Sequence, residues 1–410
     1  MKAGARGISL LVASGDAGVG GAAGFDSPVG ASINGGFLVV TTRNYLLNVQ
    51  LSNGDSQVKA GTGTTGTLDG AKGTATFDWP YGVAVDSSGY VFVSERSVGV
   101  RMISPAGIVT DALSGTGLNA IRGIAVHPTN GDLYVCDSGD HVIRAYQKTP
   151  SAPVPSAFAP TVAVLTWTAG RAGTSGRKEA STTNALLNSP KGVAIDTISS
   201  DIIFTEEAGH KIRRITFDGR VNTFAGSLTS VTTFADGLRL DATFNAPLEI
   251  VVDASGDMFT AEIGGCRIRK ITAGGTVTHV AGAETAAPAG PMNRHGAAAV
   301  AVTCEHTLGT GNVARFDDPT GITLFGGMLT VSESRADRLR TVDPATGAAT
   351  VVRTGQATSG SLDGPASVAR FNHPESVTTD TAGNLFVADR DNSMIRKVDT
   401  GDVTTTIAGT

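Results

Sequence analysis

The sequence predicts an all-β protein folded as a seven-bladed β-propeller of four-stranded antiparallel blades. A small residue followed by Gly recurs eight times between Ser14-Gly15 and Ala408-Gly409, at intervals of 46 to 73 residues. A period in this range is typical of propeller blades or solenoids. Strands such as 83–85 and 193–195 are apolar on both faces, which indicates sheets packed on both sides. The 53 Gly residues supply the many tight turns that short strands need.

Each interval has the same internal order, shown here for the last one. Asp363-Gly364 is followed by predicted strands at 377–380, 385–388, 394–398 and 403–407. Gly383 and Gly401 mark turns between them. Four short strands joined by Gly turns predict an antiparallel meander, which is one blade.

The predicted domain is single and covers residues 1–410. Its units run 16–61, 62–115, 116–170, 171–226, 227–282, 283–355 and 356–410, with residues 1–15 as an extra outer strand. The alternative is a six-bladed ring with an irregular first unit. Eight marks enclose seven units, so either 8–13 or 403–407 supplies the outer strand that closes the ring. The surplus strand would cap the closing blade or pair with a neighbouring chain.

Composition narrows the class of function and the compartment. A net charge of −5 and a pI of about 5.8 disfavour a nucleic-acid partner. No apolar run approaches the ~20 residues of a membrane span. No signal peptide is visible, because the run at 8–13 is too short for its apolar core. The compartment stays open, although low charge with abundant Gly, Ala and Thr favours an extracellular or surface assembly.

Three stretches carry a family resemblance. Residues 75–86 read ATFDWPYGVAVD, 210–215 read HKIRRI and 383–389 read GNLFVAD. These motifs resemble NHL repeats, and the resemblance covers nearly the whole chain. It implies a propeller, but the family includes enzymes, sensors and scaffolds, so it does not select a function.

Six units share a pair of opposite charges. A carboxylate ends the second strand and an Arg begins the third, and a short loop brings the two together. Opposite charges on adjacent strands contribute about 0.2–1 kcal/mol per pair. The repetition predicts a structural role. The pairs are Glu95 with Arg101, Asp137 with Arg144, Glu206 with Arg213, Glu262 with Arg269, Glu333 with Arg340, and Asp389 with Arg396.

Two carboxylates are candidates for a metal site. Glu249 replaces the Gly that begins the innermost strand, and Glu375 lies beside the equivalent position in the last unit. Ca²⁺ prefers six to eight oxygen ligands, and related lactonase-like propellers hold a central metal. The alternative is a carboxylate in contact with water, because the other units have Gly at this position. The leading prediction therefore assigns no cofactor, with Ca²⁺ at the channel mouth as the alternative.

Two insertions distinguish this chain from its repeat. Residues 283–313 include Arg294, His295, Glu305 and His306, and residues 171–187 leave from the same face of the ring. Loops this long are uncommon unless they are functional or disordered. We hypothesise a Cys266–Cys304 disulfide, which would attach the longer loop to the fifth unit. Each loop is either a binding surface or a solvated excursion.

The sequence shows all the repeats of a propeller but no assembled catalytic motif. This combination favours a non-enzymatic interaction or scaffold module. Its partner would be a protein or a larger assembly, bound by the loops of one face. The alternative is a metal-dependent lactonase-like or lyase-like enzyme that uses Glu249 and Glu375. A second alternative, RNA binding, is known for some NHL propellers and is disfavoured by the net charge.

Overall fold

The computed structural model describes residues 27–52, 56–95, 99–113, 117–148, 163–216, 218–229, 234–282, 309–356 and 358–409. These residues form seven small antiparallel sheets arranged in a ring. The seven-bladed prediction is confirmed, and the six-bladed alternative is wrong. Helical structure in these ranges consists of the 3-10 turns Thr182–Asn184, Arg239–Asp241, Gly311–Val313 and Arg390–Asn392. None of them has the length or hydropathy of a membrane-crossing helix.

Blades one to three contain four strands each, running from the ring axis to the rim. Blade one has β1 (Ala31–Asn34), β2 (Phe37–Thr41), β3 (Leu46–Gln50) and β4 (Ser56–Ala60). Blade two has β5 (Pro80–Val85), β6 (Val91–Glu95), β7 (Gly99–Ile103) and β8 (Val109–Asp111). Blade three has β9 (Ile121–Val126), β10 (Leu133–Asp137), β11 (Val142–Lys148) and β12 (Ala163–Ala169).

Blades four to seven add a two-residue strand at the rim, which pairs with the outer strand. Blade four has β13 (Ala180–Ser181), β14 (Pro190–Ile195), β15 (Ile202–Glu206), β16 (Lys211–Ile215) and β17 (Arg220–Ala225). Blade five has β18 (Gly237–Leu238), β19 (Pro247–Val252), β20 (Met258–Glu262), β21 (Arg267–Ile271) and β22 (Thr276–Gly282). Blade six has β23 (Gly309–Thr310), β24 (Pro319–Phe325), β25 (Met328–Glu333), β26 (Arg338–Asp343) and β27 (Ala348–Thr354). Blade seven has β28 (Gly364–Pro365), β29 (Pro374–Thr379), β30 (Leu385–Asp389), β31 (Met394–Val398) and β32 (Val403–Ala408).

The seven inner strands surround the axis. They contact one another in the order β1, β5, β9, β14, β19, β24, β29 and back to β1. The ring therefore has two ends. The turn face carries the turns between the first and second and between the third and fourth strands of each blade. The connecting face carries the turn between the second and third strands and the chain that leads to the next blade.

The ring closes by packing of blade seven directly on blade one. The segment predicted at 403–407 is the outer strand of blade seven, as β32, and pairs with β31. Leu38 and Val40 of blade one share a core cluster with Phe386 and Ile395 of blade seven. The predicted strand at 8–13, like all of residues 1–15, lies outside the described residues.

A hydroxyl joins neighbouring inner strands at the axis. Thr41 Oγ1 accepts the N–H of Gly30 at 2.9 Å and donates to the carbonyl of Tyr81, in the next blade, at 2.7 Å. The same bridge is made by Ser94, Thr205 and Ser332. The Gly in this bridge allows neighbouring inner strands to approach closely. A Cβ at Gly192, for example, would lie 2.6 Å from the carbonyl oxygen of Leu248.

The hydrophobic core lies between blades. One cluster joins Tyr134 and Ile143 of blade three to Val193 and Phe204 of blade four. Every residue of β6, β10, β15, β20 and β30 is buried. This arrangement explains why the strands do not alternate between apolar and polar residues.

Residues 171–187 are attached to their blade by backbone pairing, and of their side chains only Ala185 and Leu187 are buried. Gly176 N–H donates to the carbonyl of Leu187 at 2.9 Å, and Ser175 bridges the same residue. β13, within this segment, pairs with β17 at the rim. Backbone pairing therefore holds the segment in place.

Candidate functional site

The structure brings all six predicted charge pairs together, and each pair is buried. The N···O distances are 3.4 Å for Glu95–Arg101, 2.7 Å for Asp137–Arg144, 3.1 Å for Glu206–Arg213, 2.9 Å for Glu262–Arg269, 3.5 Å for Glu333–Arg340 and 2.8 Å for Asp389–Arg396. The expected 0.2–1 kcal/mol applies to exposed strand pairs. In a buried pair, removal of one partner leaves an uncompensated charge, which costs far more.

The Asp of the Asp-Gly motif completes the environment of the buried Arg. Asp236 Oδ1 accepts from Arg269 at 2.8 Å, and Asp236 Oδ2 accepts the N–H of His279 on the outer strand at 2.9 Å. Asp69 and Asp363 make the equivalent contacts in blades two and seven. The motif therefore ties the connecting segment to two strands of its own blade, which is a structural role.

Glu249 and Glu375 are buried, each with 3% exposure, so the expectation of a carboxylate in contact with water is wrong. Glu249 Oε2 accepts the N–H of Ile322, on the neighbouring inner strand, at 3.0 Å. Glu375 pairs with Arg390. Burial raises the pKa of Glu375 to about 7, although Arg390 opposes the shift. The described residues contain no group of three His, Cys, Asp or Glu side chains placed to hold a metal.

Seven equivalent residues surround the connecting-face end of the channel, and we call these the mouth positions. In blade one it is Val29, just before β1, and in the other six blades it is the second residue of the inner strand. These six are Tyr81, Arg122, Lys191, Leu248, Thr320 and Glu375.

In several blades the mouth residue contacts a side chain of complementary chemistry. That side chain belongs to the residue directly after the carboxylate that ends the second strand. In blade four Lys191 Nζ lies 3.1 Å from Glu207, and in blade seven Glu375 pairs with Arg390. In blade five the match is apolar, because Leu248 packs in one cluster with Ile263. The mouth residues therefore differ in chemistry, but each of these three has a complementary partner in its own blade.

Two loop histidines have a structural task that the sequence did not reveal. His141 Nδ1 accepts the N–H of Ser189, and His210 Nδ1 accepts the N–H of Ala246, both at 3.1 Å. Ser189 and Ala246 have φ of 54° and 50° and begin the next blade. Burial, followed by the charges of Arg177 and Lys211, lowers the pKa of His210, in agreement with a neutral ring that accepts. These histidines link blades.

The insertion that distinguishes this chain is largely beyond the described residues. Arg294, His295, Glu305 and His306 lie outside them, so their partner-binding role stays a prediction. Cys266 is disulfide-bonded and Cys136 is free and buried. Cys304 is the remaining cysteine of the sequence and also lies outside the described residues, so its pairing with Cys266 stays a prediction.

A cavity of about 610 Å³ opens at the turn face, where blades five and six meet. Its walls include inner-strand residues of blades four to seven, so it reaches the channel. Val251, Ile322, Leu324 and Phe325 make it predominantly apolar. Phe325 is 42% exposed at its rim. Sequence reasoning missed this cavity, because apolar strand residues are indistinguishable from blade core until the neighbouring turn is placed.

The charged groups at this cavity are bonded within the chain. Asp253 Oδ1 accepts the N–H groups of Ser255 and Asp257 at 2.8 and 2.9 Å. Lys270 Nζ lies 2.7 Å from Asp257 Oδ2. The cavity therefore offers apolar contact area and turn backbone, an arrangement suited to binding.

Comparison with known proteins supports the fold and leaves the family open. No family model matches the chain. Human teneurin-4 is 26% identical over 268 residues, which is 53% of this chain and 9% of the teneurin. Mouse teneurin-4 gives the same values. The match thus spans about a tenth of the length of these relatives, and the likeness to NHL repeats stays a resemblance.

Two solved structures share the architecture. Virginiamycin B lyase from Staphylococcus aureus, in its selenomethionine form, superposes with a TM-score of 0.53 at 15% identity, covering 93% of this chain and 94% of the lyase. A structural genomics protein of unknown function from Bacteroides thetaiotaomicron gives 0.50 at 18% identity, covering 90% and 83%. At such identities the likeness shows the fold alone. This chain is a seven-bladed β-propeller.

Proposed function

We propose that this propeller is a non-enzymatic interaction module that binds a protein partner through its turn-face cavity. The observation that carries the proposal is the 610 Å³ cavity with the exposed Phe325 at its rim. Small-molecule sites typically measure about 300–1,000 Å³ and have apolar walls with few polar groups; a protein partner would use the cavity for an apolar anchor side chain.

The distribution of charged groups supports binding over catalysis. Asp253 and Lys270, the charged residues of the cavity wall, are held by neighbouring groups of the chain. Glu249 and Glu375, on which the enzyme alternative depends, bond to Ile322 and Arg390. In both places the chain itself uses the groups that a reaction would need.

The proposed surface differs from the one that the sequence predicts. Residues 283–308 lie outside the described part of the chain, and residues 171–187 are folded against blade four. The turn face, by contrast, offers an open apolar cavity beside the two-residue turn Gly326-Gly327. Binding surfaces on propellers and other rigid scaffolds lie on such loops.

Peptides selected on the wild-type protein from a random display library test the proposal. We expect Phe325→Ala to weaken the selected peptides at least tenfold, because the rim loses its largest apolar side chain. The measurement is peptide affinity by fluorescence polarisation.

Phe37→Ala is the matched control, since Phe37 is 41% exposed beside the equivalent turn of blade one. It should leave the affinity unchanged. Selected peptides that bind the two variants equally well, or a library that yields none, would remove the proposed surface.

A further inference from the structure

The pairing of mouth residues has an exception in blade three. There the mouth residue is Arg122 and the matching position holds Ser138. The Ser138 hydroxyl donates to the carbonyl of Pro190. A neutral hydroxyl cannot offset a guanidinium charge, so the matching position of blade three gives the mouth cation Arg122 no counter-charge.

Two hydrogen-bond donors of the Arg122 guanidinium lack an acceptor among the described residues. Its guanidinium lies 5.2 Å from the centre of the Tyr81 ring. In the described part of the chain, no hydrogen-bond acceptor contacts its Nε or Nη1, although both atoms are shielded from solvent. Leaving a buried donor unpaired costs free energy. The side chain therefore gains from an acceptor that enters the mouth.

The next mouth residue strengthens the positive potential. Lys191 is 9% exposed, and its ion pair with Glu207 places one carboxylate beside two cations, a local sum of +1 from Arg122, Lys191 and Glu207. Burial lowers the pKa of Lys191; the charge of Glu207 opposes this shift, and the nearby charge of Arg122 adds to it. On a chain of net charge −5, this is a localised positive site.

We propose that the connecting-face mouth binds a small organic carboxylate, with Arg122 as the residue that contacts it and Lys191 as the second cation. Arg binds carboxylates through charge-assisted hydrogen bonds. The Tyr81 ring beside the guanidinium offers contact for an apolar part of the ligand. This site lies at the opposite end of the channel from the turn-face cavity, so its test does not depend on the proposed function.

Calorimetric titration of the full chain with benzoate tests the site, with benzamide as the neutral analogue and inorganic phosphate as the other oxyanion. We expect saturable benzoate binding, no benzamide binding, and at least tenfold weaker binding to Arg122→Met. Arg220→Met removes an equal charge from a 73%-exposed side chain and should bind benzoate as the wild type does.

A second variant, Ser138→Glu, tests the same site if Arg122→Met does not fold. Ser138→Glu places a carboxylate where blade four already holds Glu207, which is 6% exposed, so the repeat accommodates it. It should neutralise Arg122 and weaken benzoate at least tenfold. Equal binding of benzoate and benzamide, equal loss in the Arg122 and Arg220 variants, or tighter binding of phosphate than of benzoate would overturn the carboxylate site.

Discussion

Asp317 occupies a position at which four other blades have Asn. Its backbone N–H donates to Glu333 at 3.0 Å, as that of Asn188 does to Glu206 at 3.1 Å. The Asn side chain can also donate, and Asn245 Nδ2 reaches the carbonyl of Gly264 at 2.7 Å. A carboxylate cannot make that bond when ionised. An Asp at this position is therefore less well suited than an Asn.

We expect Asp317→Asn to stabilise the protein at pH 8 and to have little effect at pH 4. Burial, followed by the charges of Asp318, Glu333 and Asp337, outweighs Arg335 and raises the pKa of Asp317 to about 7 from an ordinary 3.8. The folded state then holds a proton that the unfolded state releases, so stability falls as pH rises from 4 to 7. The gain at pH 8 is about 1–2 kcal/mol after screening by water.

The measurement is urea unfolding of both proteins at pH 4, 6 and 8. A difference between variant and wild type that does not change with pH would contradict the raised pKa. A difference that grows as pH falls would show the opposite sign of linkage.

Arg269 illustrates the network around the buried pairs. It contacts Glu262 at 2.9 Å, Asp236 at 2.8 Å and the carbonyl of Thr243 at 2.8 Å, and it is 0% exposed. We expect Arg269→Met to lower the free energy of unfolding by about 3–5 kcal/mol, because buried Glu262 loses its close partner and, among the described residues, keeps only Arg267, at 3.9 Å.

Chemical denaturation followed by circular dichroism measures this loss. Arg220→Met is the control, because it removes an exposed ion pair. Arg220 Nε lies 3.3 Å from Asp218 Oδ2, and the two side chains are 73% and 61% exposed. If the two variants lose equal stability, burial is not the source of the cost.

At the scale of the element, the turn between β20 and β21 carries Cys266, in the loop position that His210 has one blade earlier. His210 accepts a hydrogen bond from the next blade, whereas Cys266 is disulfide-bonded. The same turn therefore uses a covalent link in blade five. Cys304 belongs to the long sequence insertion, so pairing with it would tether that insertion to blade five.

Thiol titration checks this link. In denaturant without reductant we expect one reactive thiol per chain, that of Cys136, and three after reduction. Three reactive thiols without reductant would refute the disulfide. Peptide mapping of the oxidised protein then shows whether Cys304 is the partner.

At the scale of the whole molecule, each described sheet consists of strands that follow one another in the chain. Blade seven meets blade one through side chains such as Phe386 and Leu38, and none of the described strands belongs to both sheets. This joint resembles the other joints in its apolar packing. The ring therefore presents two different ends, an apolar cavity at the turn face and a charged mouth at the connecting face.

The sequence by itself determined the blade number, the strand order and the six charge pairs, because these repeat with the period of one blade and involve residues close in the chain. Glu206 and Arg213, for example, are neighbours across one short turn. Only the tertiary structure decided what lies between blades. Arg122 and Tyr81 are far apart in sequence, as are Val251 and Leu324 in the cavity. Their contacts depend on the rotation between adjacent sheets, which no local pattern encodes.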